Sequence, residues 1–285
     1  CNLTMFGPQT VTATFTQVPP SPDLALYDDF AGPLLDSAKW PATLEQVREI
    51  RNGRLVSTVR GIAGVATSNN AEIINPAGVR SFQADVRLNA FMPPPGGSSR
   101  IGLRASLYND TAGSRPQGDA TGDVRAIVFI EGDASGRNVR YEVYKCLERN
   151  CYTSTPVVPT QTVKSTELGA KLGLAWDGSV VTFSIDGTTY TEDPTTAQPI
   201  GNPSPNVGER VLRTVVLVGG AGGEGFVTGD FDNLYVDGDL YDDFSGPELD
   251  WGKWNNLEAV REVQNIDQNT QLVLRAAKGG DAGLY

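Results

Sequence analysis

The chain has 285 residues and not one histidine, so every Ser-His, Cys-His and His-ligated metal mechanism is excluded within it. Chemistry here must rest on carboxylates, Tyr, Lys or Arg, or on a hard cation such as calcium. The three cysteines offer a covalent element. Cys146 and Cys151 enclose Leu147 to Asn150, with strand-like Val139 to Tyr144 before them and Tyr152 to Val158 after. That spacing predicts a disulfide across a hairpin loop, two free surface thiols being the alternative. Closing so small a loop stabilises by about 2 kcal/mol in the chain-entropy model. A disulfide also implies an oxidising compartment, which places the chain outside the cytoplasm, secreted or on a cell surface.

Charge narrows the partners. With 34 Asp and Glu against 23 Lys and Arg, the net charge of −11 repels nucleic acid and anionic lipid at long range. No stretch approaches the roughly 18 consecutive apolar residues of a membrane span. Neither nucleic acid nor membrane insertion is therefore expected. Arg48, Arg51, Arg54 and Arg60 crowd one region; such a face either binds acidic glycans or is simply solvated.

The elements that must position these groups show first as a repeat. Residues 27–40 read YDDFAGPLLDSAKW and residues 241–254 read YDDFSGPELDWGKW, a period of 214 residues. The match continues from VREI at 47–50 to VREV at 260–263. The expected organisation is a C-terminal hairpin of an upstream β-repeat at 1–16, a Pro-rich linker at 17–26, one complete unit at 27–238 and the truncated start of a second at 239–285. The linker prolines fix φ and suit a stiff extended segment. An opening alone buries too little apolar surface to offset its ordering cost, so 241–254 either stays mobile or, the favoured expectation, docks on the complete unit through Phe244, Leu249, Trp251 and Trp254.

Between 41 and 238, short alternating segments are punctuated by turn residues, with no convincing helical stripe. Val47 to Arg51 and Arg54 to Val59 flank Asn52-Gly53, a strong hairpin signal. Further strands are expected at 81–88, 101–108, 124–131, 139–146, 172–176, 180–185, 211–218 and 229–236, with long loops at 92–100, 110–122 and 192–208. So many short strands call for an all-β fold of two stacked antiparallel sheets.

Three stretches resemble the concanavalin A-like lectin and glucanase superfamily, in its laminin-G-like and family 16 glycosidase branches. They are the opening Asp28-Asp29-Phe30, Gly32, Leu35-Asp36 and Lys39-Trp40 with the NGRLV hairpin at 52–56; LGLAWDGSVVTFSIDGTTY at 172–190; and GDFDNLYVDG at 229–238. The segment CNLTMFGPQTVTATFT at 1–16 resembles the last strands of small bacterial surface repeats. Cys1 is then a truncated disulfide partner or, alternatively, a lipidated first residue.

The superfamily resemblance implies a jelly-roll β-sandwich. It also implies a structural Ca²⁺ whose matching positions are Asp29, Gly53 and Asp232, hard oxygen ligands that suit such an ion. Family 16 catalysis needs Glu-x-Asp-x-x-Glu on one strand; the nearest match, Glu131-Gly132-Asp133, lacks the last Glu, so Glu131 and Asp133 are weak catalytic candidates. A lyase of similar fold would lack its usual histidine base, leaving Tyr141, Tyr144 and Arg140 as a partial set. Trp176 is as well placed for the core as for a sugar platform, and with Tyr141 and Tyr144 it completes the candidate ligand-binding residues. The sequence thus favours a non-catalytic carbohydrate-binding or adhesion module of a bacterial multidomain surface protein, partnered by a glycan or cell-surface polymer and by neighbouring domains. A glycan-active enzyme and a structural spacer are the alternatives.

Overall fold

The computed structural model describes residues 26–40, 44–61, 66–76, 78–109, 123–147, 154–194, 203–217 and 223–277. The expected upstream hairpin at 1–16, nearly all of the linker, the loop 110–122, Cys1 and Cys151 lie outside the described residues. Alternation of apolar and polar side chains is carried through as strands, in chain order β1 Gln46–Arg51, β2 Arg54–Gly61, β3 Thr67–Glu72, β4 Ser81–Met92, β5 Ser98–Asn109, β6 Val124–Asp133, β7 Gly136–Cys146, β8 Ser154–Ser165, β9 Gly169–Trp176, β10 Val181–Ile185, β11 Thr188–Glu192, β12 Pro203–Leu217, β13 Gly225–Val236, β14 Asp239–Asp242, β15 Ala259–Ile266 and β16 Asn269–Ala276.

They form an all-β, two-sheet antiparallel sandwich of jelly-roll type. The larger sheet runs β11-β10-β9-β4-β13-β2-β1-β15-β16, with β14 paired to β13; the smaller runs β3-β12-β5-β6-β7-β8. The inward side chains of both make one core. Leu55, Phe82, Val86, Leu172 and Phe183 from the larger sheet join Ile101, Leu103, Val128, Ile130 and Leu212 from the smaller. Asn52-Gly53, Asp186-Gly187 and Asp237-Gly238 all place both turn residues at positive φ, as two-residue hairpins require.

Strands reach into both ends of two expected loops, 92–100 and 192–208. β4 extends to Met92 and β5 begins at Ser98, while β12 begins at Pro203, its register shifting twice before Glu209. Pro93 to Gly97 form the connecting turn as expected, whereas Pro203, Pro205 and Gly208 fall within the irregular start of β12. β3 reads TSNNAE, too polar to announce itself. It is a sheet edge, where one row of backbone groups needs no partner strand.

The repeated segment completes this sandwich. β15 and β16 extend the larger sheet through β1, and the register sets Val47 opposite Val260, Gln46 opposite Arg261 and Arg48 opposite Ala259. Val47 and Val260 are equivalent in the repeat, so like pairs with like around a local two-fold. Arg48 Nε donates to Leu257 O at 2.7 Å, and Arg261 Nε donates to Leu44 O at 2.7 Å. Ahead of β15, the opening 241–254 is seated on β3: Ile74 N donates to Lys253 O and Asn255 N to Glu72 O, both at 2.9 Å. Phe244, Leu249 and Trp254 are 0%, 3% and 1% exposed and belong to the core cluster, whereas Trp251 is 70% exposed. The docking expected from the sequence therefore uses three of its four anchors. Trp251 stands outside because the turn it occupies faces solvent.

Trp254→Ala, which would empty a buried site, should cost about 3–5 kcal/mol by denaturant titration, and Trp40→Ala, at the half-buried equivalent, less. The turn of β15–β16 is Asp267-Gln268, with Gln268 at φ 67°. Because a side chain there costs roughly 1–2 kcal/mol, Gln268→Gly should raise stability measurably in the same titration.

Candidate functional site

Inward alternation on the smaller sheet forces its other residues onto one outer face, and the register decides which meet. Arg104 lies opposite Ile127 on β6 and Val211 on β12; Gly102 lies opposite Phe129 and Arg213; Arg100 lies opposite Glu131 and Val215. One strand further, Arg125 pairs with Tyr144 and Ile127 with Glu142. Four strands thus bring Arg100, Arg104, Arg125, Arg140 and Arg213 to one surface around Tyr144. Gly102 is needed there because a Cβ would fall 2.2 Å from Val128 O and 2.6 Å from Phe129 Cα. Phe129 lies beneath the guanidinium of Arg100, 4.3 Å from ring centroid to Cζ.

Carboxylates hold two of these arginines in place. Arg100 donates from Nε to Glu131 at 2.8 Å and from Nη1 to Glu142 at 3.0 Å. Arg140 bonds Glu131 through Nη1 and Asp133 through Nη2, the latter at 3.1 Å. On the other side of the cleft, burial together with the like charges of Arg213 and Arg125 pushes the Arg104 guanidinium down to about 9, against opposing help from Tyr144 and Glu72. Burial also lowers Arg213, with Arg125 and Arg100 adding to the effect. No hydrogen bond reaches the buried Nε of Arg213 among the described residues. Guanidinium groups forced together in a half-dry place are stabilised by an anion. The cleft between them holds about 120 Å³ and is lined by Arg100, Arg125, Tyr144 and Arg213 with Phe129 and Glu142.

A larger hollow of about 330 Å³ lies on the outer face of the other sheet, among Ser81, Gln83, Lys171, Thr182, Ser184 and Tyr235. Lys171 sits 5.0 Å from the Tyr235 ring centroid. It offers hydroxyls and a single cation, with no convergence of charge.

The candidates read from sequence are dispersed. Glu131 is 3% exposed and each of its oxygens is bonded by a guanidinium, so neither faces the cleft ready to move a proton. Asp133 accepts from Ser135 N at 2.8 Å and shapes the β6–β7 turn. Tyr144 stands among the arginines. Tyr141 is 6% exposed and stacks on Phe183 at 4.4 Å; its hydroxyl donates to Glu192 at 2.8 Å, and burial with that carboxylate pushes the phenol up to about 12. Trp176, 4% exposed, is core. Cys146 is buried at the end of β7 and disulfide-bonded.

Asp29, Gly53 and Asp232 do not form a cation cradle. Asp232 Oδ2 bonds the guanidinium of Arg54 and its Oδ1 accepts from Asn233 N at 2.8 Å, while Asp29 Oδ1 accepts from Ala31 N at 3.1 Å in its own turn. A positive group already faces Asp232, so its carboxylate as placed does not fit a divalent cation. Among the described residues no cluster of three or more His, Cys, Asp or Glu suits a metal. The arginines noticed in sequence are structural. Arg48 and Arg60 are buried, Arg51 bonds Glu49 and Glu262, and Arg54 bonds Asp230 and Asp232.

No protein-family model matches the chain, and no curated protein matches it by sequence. Solved structures do. A κ-carrageenase from Pseudoalteromonas carrageenovora in complex with an oligotetrasaccharide is 11% identical, covers 72% of this chain and 92% of its own, and gives a TM-score of 0.37. An endo-β-galactosidase from Clostridium perfringens is 13% identical over 90% of each chain, with a TM-score of 0.37. An alginate lyase from Zobellia galactanivorans is 12% identical over 64% of this chain and 76% of its own, with a TM-score of 0.36. Likeness at this level carries no inference about activity, which must come from the face itself.

Removing the carboxylate shared by Arg100 and Arg140 should leave each with a single acidic partner, Glu142 for the one and Asp133 for the other. Glu131→Ala is expected to cost about 3–5 kcal/mol, the usual loss when one partner of a buried pair is deleted, read as a lowered denaturation midpoint.

Proposed function

We propose that this unit is a non-catalytic binding module for an acidic glycan, held on the arginine face of the smaller sheet. The observation that carries the proposal is the convergence of Arg104, Arg125 and Arg213 beside Tyr144, a local cationic surface on a chain of net charge −11. Sulfate and carboxylate groups match the planar fork of a guanidinium, and a sugar ring matches the face of a tyrosine. Arg100, fixed by Glu131 and Glu142, forms the wall of the cleft. The remaining parts of the reading are a place outside the cytoplasm, consistent with the disulfide at Cys146, and partners that include neighbouring domains of the same polypeptide. Among the described residues no helix is long and apolar enough to cross a membrane.

A second reading is a glycan-active enzyme. One observation favours it: Glu131 and Glu142 are bridged by the single guanidinium of Arg100, so a second carboxylate lies buried close behind the Glu142 that lines the cleft, and glycoside hydrolysis uses a pair. In that reading both Arg100 and Arg140 must swing away to free them. Glu142→Gln would then abolish release of reducing ends, whereas a binding module releases none.

The test is affinity electrophoresis or calorimetry against sulfated, uronic and neutral polysaccharides. Binding is expected to acidic glycans only, and to weaken as salt shortens the Debye length. Arg213→Gln should weaken it about 10- to 100-fold, the loss of one charge-assisted hydrogen bond at roughly 1.5–3 kcal/mol, without lowering the melting temperature. Equal binding of neutral glycans, or indifference to Arg213→Gln, would refute the proposal.

A further inference from the structure

The two openings, 27–40 and 241–254, are built alike and placed differently. In each, the Trp indole donates to the first Asp, Trp40 to Asp28 at 2.7 Å and Trp254 to Asp242 at 2.8 Å. In each, the Tyr hydroxyl donates to the Lys carbonyl, Tyr27 to Lys39 at 2.8 Å and Tyr241 to Lys253 at 2.6 Å. The Phe of each adopts positive φ, 52° at Phe30 and 53° at Phe244. The Leu amide of each is capped by the first Glu after the Trp, Leu35 by Glu45 and Leu249 by Glu258.

Yet only the second is seated. Phe244, Leu249 and Trp254 are buried against β3, whereas in the first only Leu35 is buried, and Phe30 and Trp40 stand half-exposed. The sequences differ at four positions, Ala31 for Ser245, Leu34 for Glu248, Ser37 for Trp251 and Ala38 for Gly252, and all four are exposed in the seated copy. Every side chain that meets the receiving site is therefore present, in the same local conformation, in the first opening.

The seam says where a matching site would lie. The two-fold that carries β1 onto β15 also relates 241–254 to 27–40. It would bring the counterpart of β3 from another unit against Phe30 and Trp40. We propose that residues 27–40 dock into the receiving site around Glu72, Ile73 and Ile74 of a second copy of this unit. The two units join across β1 in a two-fold pairing and exchange their openings. In the chain as it stands, β15–β16 and 241–254 fill the site that such a partner would otherwise use.

The experiment disables the seated opening in the full chain. Phe244→Ala with Trp254→Ala, and Trp251→Phe to leave Trp40 beside the buried Trp176, should double the mass by sedimentation equilibrium and shield Trp40 from acrylamide. Adding Trp40→Ala should return the chain to a monomer. A variant that stays monomeric with Trp40 freely quenched overturns the proposal. If emptying the site prevents folding, the reciprocal change decides. Ser245→Ala, Glu248→Leu, Trp251→Ser and Gly252→Ala give the second opening the sequence of the first. The melting temperature should then stay within about 2 °C of the parent, less than the shift roughly 1 kcal/mol produces in a domain of this size. A larger fall would show that the first opening does not fit the site and overturn the proposal.

Discussion

Period two is the constraint on which the rest depends. A strand in a sandwich gives every second side chain to the core, and β5 obeys it with Ile101, Leu103 and Ala105 inward. Arg100, Gly102 and Arg104 then have no choice of face. A one-residue slip would drive two guanidiniums into the apolar layer, so the register that buries the core also fixes the cationic surface. Charge is admitted on this fold wherever alternation leaves a place, and is then either neutralised locally or left for something else.

Both outcomes occur. Around β1 and β2 the guanidiniums are spent on structure: Arg60 ties Glu45, Leu35 O and Glu224 together, and Arg48 stitches Leu257, just ahead of β15, to Asn69 and Asn70 of β3. Burying such a group costs free energy unless its donors find acceptors, and here they do. On the smaller sheet Arg100 and Arg140 are treated this way by Glu131, Glu142 and Asp133, and Arg137 by the carbonyls of Leu88 and Asn89. Burial presses on Arg104 and Arg213, and their convergence beside Arg125 and Tyr144 marks the candidate site.

The sandwich was legible in the sequence because its signals are local. Asn52-Gly53 marks a hairpin without reference to anything distant, and the alternation in 101–108, 124–131 and 139–146 names strands directly. The repeat at 241–254 likewise announced its own docking. The arginine face was not legible. Arg104, Arg125 and Arg213 lie on three strands, and only the pairing of β12 with β5 and of β5 with β6 brings them together. Sequence alone gave no reason to prefer them over Arg48 or Arg54, which cluster in the chain but are used up. Trp176 and Tyr141 show the opposite error of emphasis, since aromatic residues on these strands serve the interlayer space. A faint signal did exist: Arg100-x-Gly-x-Arg104 puts two cations and a gap on one side of a single strand.

The β1·β15 seam joins like to like, with Val47 against Val260 and two arginine-to-carbonyl bonds that mirror each other. A contact of that kind is isologous, and isologous contacts close. Once Arg48 has found Leu257 and Arg261 has found Leu44, both edges are consumed and no third strand can enter at that position. A head-to-tail seam between repeated segments would instead leave a fresh edge at each step and could lengthen without limit. Pairing by twos therefore closes the β1·β15 seam to further strands, and a repeated sequence of this kind can be carried in one polypeptide without this seam acquiring the geometry of a fibre.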